Sequence, residues 1–342
     1  MLDSQTSMAY DPTFTITPRL LRDLEAVADV RAKIAEATIQ LTWVPQLQKD
    51  SRHRGAHAST AIEGNPLTLA EVCALEAGTP LPARTDRSCR EILNYFAGLR
   101  FVEKRAATKK PITHEDLFRL HRFLAKGVMD QGEPGGYRSI RVRVGGHFPP
   151  RPEMVSGLMR ELLEWWNKKS EEWSAPLSSA ILHYQFEEVH PFADGNGRVG
   201  RMLALWELYR RGFDTHHIFS VDEFYWEDRA RYYESLDAVR RARGDLTGWL
   251  EYTTEGLRQT LERVWLRVKQ LAATTGKKKT VLRPKQEQLL HLLRDRHGLT
   301  PNELWAALNV TKQGAAHILR LLLKAKLVKR IGTQKNGRYI LG

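Results

Sequence analysis

HYQFEEVHPFADGNGRVGRMLALWELYRRG, residues 183–212, decides how the rest of the chain is read. Its centre runs His190-Pro191-Phe192-Ala193-Asp194-Gly195-Asn196-Gly197-Arg198-Val199-Gly200-Arg201. A titratable base, a carboxylate, glycines at 195 and 197 and two arginines therefore fall within one short stretch. Apolar residues at helical spacing follow, and Gly212 suits a helix C-cap. The two glycines let the backbone turn tightly and bring its N–H groups close to a ligand. The helix that follows presents its N-terminal N–H groups and positive dipole end to the same place. An anion fits there, most simply a phosphate chain. Arg198 and Arg201, three apart, can share one side of the first helical turn and grip phosphate oxygens. Asp194 is an acceptor in a site built for anions, which makes sense if it holds a Mg²⁺ ion bridging the phosphates. His190 can be neutral near pH 7 and take a proton from an attacking hydroxyl.

Other phosphate and metal motifs fail on detail. A Walker loop needs Gly-Lys-Ser/Thr, which is missing. A calcium loop needs acidic or amide ligands at alternating positions, where this chain has Arg198 and Val199. His183 and His190 have no evident third metal ligand nearby. Taken singly, each residue is as compatible with a helix-capping loop and a surface histidine. The joint spacing is not.

Residues His190 to Arg201 resemble the signature of the Fic family, HPFxDGNGRxxR, at every specified position. The likeness extends over roughly Thr113 to Leu250 and more weakly over the N-terminal helices. It implies an enzyme that transfers AMP from ATP to a hydroxyl side chain of a target protein, with release of pyrophosphate. It implies His190 as general base, Asp194 as Mg²⁺ ligand, and Gly195, Asn196 and Gly197 as the anion hole. Arg198 and Arg201 would hold the outer phosphates, and Phe192 would anchor the loop in the core. Ser59-Thr60-Ala61-Ile62-Glu63-Gly64 is similar to the family's inhibitory motif [S/T]xxxE[G/N]. That likeness implies that Glu63 pairs with Arg201 and denies it to the nucleotide. In related proteins the same Glu supports removal of AMP, so a two-way enzyme stays open. Tyr232-Tyr233 resembles the aromatic pair near the family's nucleoside pocket. An Asn often found a few residues further on is not evident between Val239 and Arg243. Ile140, Arg141 and Val142 lie where the family places its flap, the edge that aligns an extended target segment by strand addition.

Outward from the motif, the chain reads as mainly α. Thr17-Pro18 opens a helix whose apolar positions recur through Leu20, Leu24, Val27, Val30 and Ile34. Gly64 with Asn65-Pro66 stops a helix, and Thr68 to Glu71 is a capping box that starts another. Arg87 to Arg105, the segment capped by Thr113, the segment from Pro152, and Ser178 to Val189 are further helices. Asp228 to Arg243 and Thr247 to Leu271 are helical by the same spacing. Tyr137 to Val144 instead alternates Ile140, Val142 and Val144 with Arg141 and Arg143, which predicts a strand that Gly145-Gly146 can turn into a short β-hairpin. The expected catalytic fold is thus a Fic-type helical bundle with a β-hairpin flap.

The chain has 342 residues and a formal net charge of +13. From Lys277 onward there are 15 Lys+Arg against 3 Asp+Glu, leaving 38 against 37 for the first 276 residues. The charge excess therefore belongs to the C-terminal fifth, and two physically different domains are expected. There, helices from Pro284, from Thr300-Pro301 and from Thr311, then a hairpin around Asn336-Gly337, follow the order of a winged helix-turn-helix. Its third helix would present Lys312, Gln313, His317 and Arg320, and DNA contact through them suits the charge; protein contact through a solvated basic face stays open. The expected domains are residues 1–109, an N-terminal helical region carrying the inhibitory motif; 110–250, the catalytic core; 251–280, a connecting helix and basic linker; and 281–342, the winged helix.

No segment reaches the roughly 20 apolar residues of a membrane helix. The N-terminus lacks a signal-peptide pattern, and two cysteines, Cys73 and Cys89, have no metal spacing. A reduced, cytoplasmic protein is expected. The expected partners are ATP, a target protein and DNA, with a second copy of the chain left open. Two other functions also remain open: a nucleotide-sensing DNA-binding regulator without turnover, and transfer of UMP or another phosphate-linked group. An intact base at His190 favours turnover.

Overall fold

The computed structural model describes residues 10–37, 43–81, 85–108, 110–213, 216–274, 284–296, 298–324, 327–332 and 337–341. The described residues form two compact units. One comprises residues up to Ile34 together with Leu47–Arg267; the other comprises Ala35–Gln46 and the residues from Val268 on. Residues Met1 to Ala9, the linker residues Thr275 to Thr280, and Lys335 and Asn336 lie outside the described residues.

The first unit is built around two helices, α7 (Ala175–Val189) and α8 (Asn196–Arg210), joined by the motif loop. Eleven of the 15 residues of α7 and 12 of the 15 of α8 are buried, so neither has a solvent face. A helix apolar on all sides belongs at the centre of a bundle. Around this pair pack α1 (Pro18–Glu36), α2 (Val44–Ile62), α3 (Leu69–Glu76), α4 (Asp86–Ala106), α5 (His114–Ala125) and α6 (Pro152–Lys168). Helices α9 (Asp222–Glu227), α10 (Arg229–Arg241) and α11 (Thr247–Thr274) follow. Trp165, Trp166, Trp206 and Trp249 are each at most 1% exposed and fill the centre of one continuous core. Each large side chain so buried contributes about 1.5–3 kcal/mol.

The caps read from sequence are present. Thr68 and Thr113 close capping boxes with Glu71 and Asp116, and Thr17 Oγ1 accepts from Leu20 N–H at 3.1 Å. One buried charge ties the bundle's middle together. Glu207, 0% exposed, accepts from Trp166 Nε1 at 2.5 Å, Ser178 Oγ at 2.7 Å and Arg210 Nε at 3.0 Å, and so joins α6, α7 and α8.

One expectation is met only at its tip, where Val144 and His147 exchange N–H···O bonds across the turn at Gly145-Gly146. Residues 137–148 form no ladder; a single bridge joins Val144 and His147. In the register that Val144 and His147 set, Val142 would face Pro149, which has no N–H to donate, so the ladder stops there. The Arg138 guanidinium donates to the carbonyls of Ile140 (3.1 Å), Pro150 (2.5 Å) and His190 (2.8 Å), and its N–H donates to Pro191 O. Ile140, at 42% exposure, shows that the alternation did not mark a core face. Among the described residues, the ladder strands are β1 (Val328–Ile331) and β2 (Arg338–Leu341), in the second unit.

That unit has its own apolar cluster, with Leu289, Leu293, Leu304, Leu308, Leu319 and Leu322 at its centre. It contains α12 (Pro284–Arg296), α13 (Pro301–Leu308) and α14 (Lys312–Lys324), then β1 and β2 paired antiparallel with Val328 opposite Leu341. Thr300 closes a capping box with Glu303, and Thr311 Oγ1 accepts from Gly314 N–H at 3.2 Å.

Candidate active site

Helix α7 ends by turning its chain back at His190. This residue adopts a left-handed conformation (φ 47°, ψ 61°), with its N–H bonded to Phe186 O at 2.9 Å. For a residue with a Cβ that conformation costs about 1–2 kcal/mol. Arg138 holds the carbonyl side of the turn, as described above. The loop that follows is fixed from within. Phe192 is 0% exposed and stacks on the His121 ring at 3.8 Å between centroids. Asn196 accepts from Phe192 N–H at 2.9 Å and donates to Phe192 O at 2.8 Å. The Asn196 side chain is thus spent on the loop, and what the residue can offer an anion is its backbone N–H. His121 Nδ1 accepts from Gly135 N–H at 2.9 Å, and its Nε2 donates to Asp194 O at 3.0 Å. Burial pushes the His121 imidazole down to about 4, so it is a neutral strut.

Gly195, at φ +79°, makes the turn into α8 in a conformation that favours glycine. The two arginines border this turn. Arg198 Nη2 lies 3.5 Å from where a Cβ at Gly195 would stand, and Arg201 Nη1 lies 3.1 Å from where one at Gly197 would stand. Both side chains are buried, and Arg198 Nε and Arg201 Nη1 have no hydrogen-bond partner in the protein. A buried guanidinium donor left unmade costs about 1–3 kcal/mol or more, and two such donors beside a glycine turn suit an anion. Asp194 sits at the loop's edge, its Oδ1 accepting from Gly195 N–H at 2.5 Å and its Oδ2 from Asp130 N–H at 3.2 Å.

Arg201 is already partly occupied. Its Nη2 donates to Glu63 Oε1 at 2.7 Å and to Ser59 O at 2.8 Å, and its Nε donates to Ser59 Oγ at 3.0 Å. The Glu63 carboxylate also lies where a Cβ on Gly197 would stand, so an anion from α2 covers the first turn of α8. Asp222, 7% exposed, bonds Ser59 and Tyr95 behind this contact. Burial pushes the Asp222 carboxyl up, against the pull of Arg201. Arg201 therefore has two carboxylates near it, one on a buried helix start and one at a half-exposed helix end. Glu187, three residues before His190, is a second buried carboxylate at the site.

The remaining expected positions divide. Tyr232 is 1% exposed, its hydroxyl 3.2 Å from His183 Nε2, so it is a core residue rather than a pocket wall. Tyr233 is half-buried beneath the Arg229 guanidinium, and is the member of the pair that a ligand can reach. Ile140 and Arg141 are exposed and Val142 half-buried, near an exposed Phe148. In the second unit Gln313, His317 and Arg320 share the exposed face of α14, and Lys312 opens that helix with its side chain outside the described residues.

Sequence reasoning missed Arg138, His121, Glu187 and Asp222. Arg138, His121 and Asp222 reach His190, Asp194 and Ser59, which lie 52, 73 and 163 positions away in the chain, so no local pattern marks them. Glu187 stands beside the motif, and its signal was a carboxylate on the helix face three residues before His190.

Residues 111–208 match the family described as Fic/DOC. The chain is 32% identical over 244 residues to protein adenylyltransferase fic-1 of Caenorhabditis briggsae, spanning 70% of this chain and 46% of that protein. It is 29% identical over 250 residues to protein adenylyltransferase Fic of Drosophila grimshawi, spanning 72% of this chain and 49% of the relative. The chain thus spans about half the length of the curated relatives it matches. The fold is similar to that of a Fic family protein from Desulfovibrio desulfuricans, with a TM-score of 0.65 at 26% identity over 97% of this chain and 98% of that one. Residues 134–508 of Fic-1 from C. elegans give a TM-score of 0.65 at 26% identity over 74% of this chain and 73% of that one.

Proposed function

We propose, from the Fic/DOC domain that residues 111–208 form, that this chain is a protein adenylyltransferase restrained by its own Glu63. The observation that carries the reading is the contested guanidinium of Arg201. It is buried at the anion turn, keeps one donor unmade, and is held by a carboxylate lying over Gly197. A carboxylate is the group that a phosphate would displace from such a place.

In the reaction so read, ATP lays its phosphates along the Gly195–Gly197 turn between Arg198 and Arg201. A target hydroxyl gives its proton to His190 as its oxygen bonds to the α-phosphorus. The bond from that phosphorus to the bridging oxygen breaks, and pyrophosphate leaves. Among the described residues, no group of three or more His, Cys, Asp or Glu could hold a metal alone. Asp194 nonetheless fits Mg²⁺, which takes one or two carboxylates plus substrate phosphates rather than a cage of protein ligands. When bound there, Mg²⁺ would neutralise phosphate charge.

Tyr233, rather than Tyr232, is the aromatic residue available to the nucleoside. The exposed stretch around Ile140, Arg141 and Phe148 is the surface we assign to the target segment. The order of helices and hairpin in the second unit supports a winged helix, and the exposed Gln313, His317 and Arg320 support DNA contact. Removal of AMP with help from Glu63 belongs to the same reading. Both cysteines are free, which supports a reducing compartment such as the cytoplasm, and no described helix is long and apolar enough to cross a membrane.

The test is incubation of the full chain with ATP or UTP carrying labelled α-phosphate, alone and with cell extract, read by intact mass and autoradiography. AMP on protein, lost in His190→Ala, is the expected result. Labelling by UTP alone, or labelling unchanged in His190→Ala, overturns it. For the second unit, fluorescence anisotropy on duplex DNA should give binding that weakens as salt rises; no binding at low salt overturns DNA contact.

A further inference from the structure

No step of AMP transfer so far uses Glu187. It stands on the last turn of α7, three residues before His190, and is 6% exposed. Its Oε2 lies 3.5 Å from His190 Nδ1. Its Oε1 and His190 Nδ1 are both buried and have no hydrogen-bond partner. A donor-capable nitrogen without a partner therefore faces Oε2 of a buried carboxylate whose other oxygen, Oε1, has no partner either. The neighbouring helix leaves room for this. At Gly200 a Cβ would run into Glu187 Oε1, so only glycine lets the carboxylate keep its place.

The charges around Glu187 keep it ionised. Burial pushes its carboxyl up, but the contact with His190 and the charge of Arg201 outweigh burial and hold it below the ordinary carboxylate range. His183 is pushed down to about 4 by burial and faces Tyr232 through Nε2, so it is a neutral neighbour rather than a counter-ion. Glu188, the next carboxylate, turns the other way, to Arg240 at 2.9 Å and His147 at 3.5 Å. At 3.5 Å the Glu187–His190 approach is longer than a formed hydrogen bond. Catalytic contacts of this kind commonly tighten only once substrate is bound.

We propose that Glu187 is a positioning residue for His190: its carboxylate takes the Nδ1–H of the imidazole and so leaves the Nε2 lone pair for the target hydroxyl. The carboxylate then steadies the imidazolium that forms when that proton arrives, and it is not itself protonated. The proton moves from the hydroxyl oxygen to Nε2, and no other group changes state. The catalytic consequence rests on the adenylyltransferase reading, whereas the pairing does not.

The experiment uses the full chain labelled with ¹⁵N-histidine, as wild type, Glu187→Gln and Glu187→Leu. Ring-nitrogen correlation spectra assign the His190 tautomer at neutral pH. The wild type should carry its proton on Nδ1, and Glu187→Leu should lose that preference. Glu187→Gln, close in shape, should keep the Nδ1–H form through its amide oxygen. In a Glu63→Gly background, kcat for AMP transfer should fall by roughly 10- to 100-fold in Glu187→Gln, with KM for ATP changed by less than about twofold. A wild-type ring protonated on Nε2, or the same tautomer in wild type and Glu187→Leu, overturns the proposal whatever the activity. If the Leu variant does not fold, an unchanged kcat in Glu187→Gln overturns it alone. Absence of AMP transfer together with an Nδ1–H ring that Glu187 holds counts against the functional reading and supports the pairing.

Discussion

Helix α8 carries a buried charge cluster at each end, and the two are built on opposite rules. Near its C-terminus both oxygens of Glu207 are taken, by Trp166, Ser178, Arg210 and Arg211. Arg210 and Arg211 spend their remaining donors on Trp166 O, Ser170 and Trp173 O. Near its N-terminus Arg198 Nε, Arg201 Nη1, His190 Nδ1 and Glu187 Oε1 are buried without partners. A buried charge that is fully paired holds helices together, whereas one left short of partners waits for something else. The one exposed partner at the N-terminal end, Glu63, is also the one that can leave, with 34% of its side chain exposed against 1% for Arg201.

That contrast can be broken by substitution. The largest effect expected is His190→Ala, which should lower AMP transfer by roughly 10²- to 10⁴-fold while leaving the thermal melt in place. A similar loss in an α8 C-terminal variant that still folds would erase the distinction between the two ends. Glu207→Gln should destabilise the fold by about 3 kcal/mol, because two arginines lose their buried counter-charge. Urea unfolding followed by Trp fluorescence reads this directly. Glu63→Gln should cost under about 1 kcal/mol in the same assay, since a half-exposed pair is worth little and Arg201 keeps Asp222 and Ser59. Equal costs for the two Gln variants would mean that Glu63 is structural.

Between these lies a pH effect. The folded chain resists protonation of His183, whose imidazole is pushed down to about 4, while the unfolded chain protonates it near its ordinary value. Between those two values the unfolded state binds more protons, so stability rises with pH there and is lost as pH falls from about 6.5 towards 4, by roughly 3 kcal/mol from this group. Melting temperatures across that range should fall less steeply in His183→Gln than in the wild type. Parallel curves would show that His183 is not the cause.

What could be read without the structure follows from distance along the chain. The turn at Gly195, the start of α8 and the cap at Thr113 are local, and their residue types announce them. The motif was long enough to suggest an anion site and a base, and the segment around Ser59 was read through its likeness to a known inhibitory pattern. The partners that hold the site were not. Arg138 meets His190 O 52 positions away, and His121 meets Asp194 O 73 positions away. Such pairs leave no periodic trace. The alternation from Tyr137 to Val144 foretold only a turn. A period of two records what side chains a stretch could bury, whereas the facing stretch carries Pro149 and Pro150, which have no N–H to pair. Helix α2 was legible only by its end at Gly64, because its length is polar and carries no apolar stripe that marks a start.

The central claim is that Glu63 and ATP compete for Arg201. It is tested most directly by measuring AMP incorporation from α-labelled ATP by the wild type, Glu63→Gly and Glu63→Gly/His190→Ala at equal concentration. The account predicts that Glu63→Gly exceeds the wild type by at least about tenfold, the equivalent of 1.4 kcal/mol, and that the double variant falls to background. Equal incorporation by wild type and Glu63→Gly, with both folded, would contradict it.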